Sequence, residues 1–147
     1  MDAGFPHLLF MQTLRQLVTG TDFSECAEHA LELAVELALA SSARVTLVHV
    51  CEPGDDLDDL RLLESGAALS AVVARHQGRG VVVTGLLRSG KPWTKLDNVA
   101  AEVGASLIVV GRHGAGSSRG SQLGTVADHL VRSANRAVLT VSCDLDG

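Results

Sequence analysis

Gly111, Gly114, Gly124 and Thr125 are the residues of this chain whose types and spacing point to chemistry. They lie in the stretch LIVVGRHGAGSSRGSQLGTVADHLV, which runs from Leu107 to Val131. An apolar run, Leu107 to Val110, enters Gly111. A loop of Gly, Ser, Arg and His follows, and a helical pattern begins at Gly124-Thr125. Glycines let backbone N–H groups turn inward and approach a ligand closely, and a helix start adds unpaired donors and a positive dipole end. Strand, Gly-rich loop and helix start in that order suit an anion. A phosphate group fits, and a nucleotide is the implied ligand. The plain alternative is an empty surface loop.

Other candidate chemistry is weaker. Gly85 to Lys91 matches the first seven positions of a P-loop, but Pro92 stands where that motif needs Ser or Thr for magnesium. It reads as a strand end, a turn and a Pro-started helix. Cys26, His29, His49 and Cys51 lack zinc spacing and read as core or surface residues, so no metal ligands are assigned. Asp55, Asp56, Asp58 and Asp59 read as a solvated helix start, with carboxylates near the positive dipole end. A calcium loop would interleave more oxygen donors around a Gly turn. There is no Ser-His-Asp order and no nucleophile elbow. Ser117, Ser118, Ser121 and Thr125 lie near the expected phosphates, yet nothing shows a positioned base. No catalytic residue is assigned. At most, slow ATP hydrolysis or autophosphorylation is expected.

These residues need elements to hold them. At 147 residues and 46% hydrophobic, the chain can bury one proper core. Residues 1–13 read as an N-terminal extension and 14–147 as a single domain. The net charge of −5 argues against a nucleic-acid partner, which would call for a basic face. No apolar run approaches a membrane span, and the start of the chain lacks the features of a signal peptide. The three scattered cysteines suit reduced thiols, so a cytoplasmic location is expected.

Strands are expected at Leu14–Thr19, Arg44–Cys51, Gly80–Leu87, Ser106–Val110 and Ala137–Ser142. Helices are expected at Glu25–Ala40, Leu57–His76, Pro92–Val103 and Thr125–Ala134. In the first helix, Ala27, Ala30, Leu31, Ala34, Val35 and Ala38 form one apolar stripe opposite Glu25, Glu28, Glu32 and Glu36. Asp22 or Ser24 can cap it. Strand–helix alternation of this kind implies an α/β fold, an open parallel sheet with helices on both faces. Ligands of such sheets sit at the carboxyl ends of the strands, where the winding reverses.

The spacing G-x2-G-x9-G-[S/T] from Gly111 to Thr125 resembles that of the nucleotide-binding members of the universal stress protein family. Thr21-Asp22-Phe23-Ser24 after the first strand, Leu47 to Val50, Gly90-Lys91-Pro92 and the closing strand Ala137 to Val141 extend the resemblance from Leu14 to Ser142. It implies a Rossmann-like, five-stranded sheet of order 3-2-1-4-5. It also implies a homodimer joined through the fifth strand, and a stress-related sensor or regulator that binds ATP, AMP or ADP, with or without magnesium. On this resemblance Gly20, Thr21 and Asp22 meet the adenosine part. Val50 offers backbone bonds and an apolar wall to the base. Gly111, Arg112, His113, Gly114 and Ser117 line ribose and phosphates, and Gly124, Thr125 and Val126 face phosphate oxygens. Gly20 stands where many members have Pro or Ala, so a looser adenine floor is expected. The alternative within the same fold is a nucleotide-free dimeric scaffold with a protein partner. An adenylating ligase is set aside, because its HIGH-like and SGGxDS-like signatures are absent.

Overall fold

The structure is a computed structural model that describes residues 14–52, 59–114 and 123–143. The N-terminal extension, the run from Asp55 to Asp58, and Ser117, Ser118 and Ser121 lie outside the described residues.

The strands are β1 (Gln16–Gly20), β2 (Arg44–Cys51), β3 (Val83–Ser89), β4 (Leu107–Gly111) and β5 (Ala137–Val141). The helices are α1 (Glu25–Ser41), α2 (Asp59–Arg75), α3 (Pro92–Val103) and α4 (Thr125–Ser133). The sheet has the order β3-β2-β1-β4-β5, and every pairing is parallel. Five expected strands and four expected helices are therefore present in the expected order.

Two bodies of packing enclose the sheet. On one face Ala30, Leu31, Ala34, Val35 and Ala38 of α1, with Leu69 and Val72 of α2, pack on Leu17, Val45, Leu47 and Val109. On the other, Leu96, Val99 and Ala100 of α3, with Ala127 and Leu130 of α4, pack on Val18, Val48, Ile108 and Val110. Adjacent strand residues feed opposite faces, which is why the interior strands β2 and β4 read as nearly continuous apolar runs. Burying each large aliphatic side chain contributes about 1.5–3 kcal/mol.

β3 departs from expectation. It spans Val83–Ser89 instead of Gly80–Leu87. Gly78 and Gly80 both take positive φ, so the chain is still turning there, and Val81 and Val82 precede the strand. At the far end Arg88 and Ser89 continue the ladder opposite Val50 and Cys51. Gly85 lies inside this strand, opposite Leu47, so the P-loop-like spacing forms no loop at its start.

Candidate functional site

The end of β1 is laced into one conformation. Thr21 N donates to Val48 O at 2.8 Å, and Thr21 Oγ1 accepts from Phe23 N at 3.0 Å. Asp22 Oδ1 accepts from Ser24 N at 3.0 Å, and Ser24 Oγ accepts from Ala27 N at 3.2 Å. Ser24 is thus the cap of α1, while Asp22 braces the turn before it. His49 Nδ1 donates to Thr21 O at 2.8 Å, which fixes the hydrogen of its ring on that nitrogen. Phe23 is left-handed, with φ 64°, between these contacts.

The end of β4 is tied on two sides. Arg112 N donates to Val141 O and Gly124 N to Arg112 O, both at 2.8 Å, so the start of α4 returns to the strand it left. The first turn of α1 crosses close by. A Cβ on Gly111 would meet the backbone carbonyl of Cys26 at 3.0 Å, which leaves room for glycine alone without backbone movement. Cys26 Sγ donates to Val141 O at 3.6 Å, so this thiol serves the packing of α1 on β5.

Gly124 is the N-cap of α4 and supplies no side-chain cap. The N–H groups of Thr125, Val126 and Ala127 have no carbonyl four residues back within the helix. Trp93 of α3 stacks on His129 of α4 with ring centroids 3.9 Å apart and 6° between planes, which helps to hold this helix start in place. His113 is buried, and neither ring nitrogen meets a hydrogen-bond partner among the described residues. A buried polar ring without partners costs free energy, and a ligand that supplied them would recover it.

These pieces surround one cleft of about 330 Å³ at the carboxyl ends of β1 and β4, where the sheet order reverses. Gly20, Thr21, Asp22, Val50, Gly111, Arg112, His113, Gly114, Gly124, Thr125 and Val126 all line it. Ser117 lies outside the described residues. The volume lies in the range of small-molecule sites.

A sequence model described as the universal stress protein family matches residues 13–142. The chain belongs to the universal stress protein family. Universal stress protein MJ0577 of Methanocaldococcus jannaschii is 24% identical over 152 residues, covering 86% of this chain and 94% of the relative. The solved structure of MJ0577 shares the fold, with TM-score 0.80 at 23% identity over 88% of this chain and 96% of that one. A universal stress protein in complex with cAMP is 27% identical, with TM-score 0.70, over 86% of this chain and 96% of its own. The universal stress protein of Archaeoglobus fulgidus in complex with dAMP is 26% identical, with TM-score 0.71, over the same shares.

The cleft is also lined by residues that the sequence did not mark for it: Ala27, Val48, Glu52, Pro92, Leu96, Val110 and Ala127. Leu96 and Ala127 read as core and Pro92 as a helix start, and Glu52 stood between a strand and a turn with no reading of its own. Leu96 also bears on Gly20. A Cβ on Gly20 would stand 2.9 Å from Leu96 Cδ1, so glycine here lets Leu96 close up under the cleft and the floor is filled from α3. Among the described residues no helix is long and apolar enough to cross a membrane.

Proposed function

We propose that the chain binds an adenine nucleotide in this cleft, as ATP, ADP or AMP, and acts as a stress-linked cytoplasmic sensor or regulator. The observation that carries this reading is that the uncapped start of α4 lines the same cleft as His113, whose ring meets no hydrogen-bond partner among the described residues. Backbone donors and a positive helix end favour a phosphate. The ring nitrogens of His113 add a donor in either neutral tautomer, and Arg112 adds charge.

The opposite half of the cleft suits a base. Val48 turns its carbonyl toward β1, accepting from Thr21 N, and Cys51 turns its carbonyl toward β3, accepting from Gly90 N at 3.0 Å. Backbone groups alternate along a strand, so Val50 shares the direction of Val48. The β1 ladder ends with Gly20 opposite Val48, so Val50 faces the cleft with a donor and an acceptor side by side. Val48, Val50 and Leu96 give apolar walls, and Asp22 offers an acceptor for ribose hydroxyls or the adenine amino group. Complexes of related universal stress proteins with cAMP and dAMP support the choice of adenine.

Magnesium would ride on the phosphates. Among the described residues no group of three His, Cys, Asp or Glu side chains is arranged to hold a metal. A homodimer through β5 is part of the same reading: β5 is an edge strand whose Val138, Leu139 and Val141 are only half-buried, and an edge presents unpaired backbone groups to another chain.

Thermal denaturation with and without ATP and magnesium tests the binding. A rise in melting temperature that saturates with ligand supports it. No rise at millimolar ATP favours the nucleotide-free scaffold.

A further inference from the structure

Glu52 directly follows β2 and lies two residues beyond Val50. Opposite it β1 has already ended, so Glu52 borders the cleft beside Val48, Val50, Pro92 and Leu96. It is exposed, and no described residue gives its carboxylate an ion pair or hydrogen bond. The other carboxylate of the cleft is differently employed. Asp22 Oδ1 accepts from Ser24 N, and Oδ2 points to the β4 side, 2.6 Å from where a Cβ on Gly114 would stand. The cleft is therefore polarised. Arg112, His113 and the start of α4 put donors at the β4 side, while Glu52 puts a pure acceptor at the β2 side, next to the apolar walls.

We infer that Glu52 reads the nucleobase. Its carboxylate accepts from an exocyclic amino group and makes the cleft prefer a 6-aminopurine to a 6-oxopurine. An ionised carboxylate has no hydrogen to offer a 6-oxo group, and the two sets of lone pairs repel. This rests on the adenine-nucleotide reading above and adds the side chain that selects within it. Val50 contributes backbone groups that no substitution alters, and the Asp22 carboxylate lies at the β4 side against Gly114, so Glu52 is the side chain at the β2 side where base selectivity is open to mutation.

The test is calorimetric titration of the full chain with ATP and with ITP. The two ligands share ribose and triphosphate, so their affinity ratio cancels any general effect of the Glu52 charge on the phosphates. The wild type is expected to bind ATP about tenfold or more tighter than ITP. Glu52→Gln is expected to shrink that ratio about fivefold, because an amide both donates and accepts. Glu52→Leu is expected to shrink it too, by weakening ATP and by relieving the repulsion that disfavours ITP. Circular dichroism on each variant confirms the fold. A ratio unchanged in both variants, or a wild type that binds both ligands equally, overturns the role of Glu52 and leaves nucleotide binding standing. A wild type that binds neither ligand overturns the adenine reading and this inference together.

Discussion

A Cβ placed on Gly114 would stand 2.6 Å from Oδ2 of Asp22. The loops that leave β1 and β4 therefore touch across the mouth of the cleft, and the contact closes only because one partner is glycine. Asp22 is not free to swing aside at no cost, since its other oxygen accepts from Ser24 N. Gly114→Ala is thus expected to turn the Asp22 carboxylate and to weaken ATP binding about tenfold. Its melting temperature should change little, because the side chain that must move is exposed. Titration calorimetry beside a thermal melt separates the two effects.

Gly124→Glu attacks the other half of the site. Gly124 has φ −65° and ψ 169°, a conformation open to any residue, so the fold should survive at a cost of about 1 kcal/mol or less. The added carboxylate stands at the helix start where phosphate is expected. ATP affinity should fall by about a hundredfold or more, the scale of an unpaired like-charge contact. Equilibrium dialysis with labelled ATP reads this directly.

Gly111→Ala should behave in the opposite way. The new methyl would meet backbone atoms of Cys26 at 3.0 Å, and backbone cannot yield as a side-chain tip can. A loss of about 1–3 kcal/mol is expected from urea unfolding, before any ligand is considered.

A fourth expectation concerns pH. Arg79 donates to both oxygens of Glu32, at 2.7 and 3.1 Å, and to His76 Nδ1 at 2.9 Å. The hydrogen bond from Arg79 holds the Glu32 carboxyl below its ordinary 4.5 and raises the guanidinium in turn. A depressed carboxyl stabilises the fold above its unfolded value, and the contribution is lost as pH falls through the folded value. Arg79→Ala should therefore lower the melting temperature modestly at neutral pH, given the exposure of the pair, and the gap should narrow as pH falls below the ordinary carboxyl value of 4.5. Melts across a pH series measure it.

Most of the fold was legible because two periodicities alternate without interruption. The α1 stripe from Ala27 to Ala38 is buried as its spacing required, and α3 begins at Pro92 and closes at Gly104. The misplaced strand shows where pattern runs out. Val81 and Val82 read as strand because they are β-branched, yet Gly78 and Gly80 keep the chain turning. Arg88 and Ser89 are polar and still complete the ladder, because β3 is an edge strand with one open side. In the site, the loop residues were legible because glycine and Thr125 carry a local chemical signal. Glu52, Pro92 and Leu96 were not, since what brings them to the cleft is the meeting of β2 and α3 around the end of β1. Val131 is apolar in the α4 pattern yet exposed, one position off the buried line of Ala127 and Leu130.

The most direct test of nucleotide binding is the small-molecule content of freshly purified protein, released by mild denaturation and separated by chromatography. Close to one adenine nucleotide per chain is the predicted result. No nucleotide released, together with no shift in melting on adding ATP and magnesium, would contradict it and leave a universal stress protein fold that works without one.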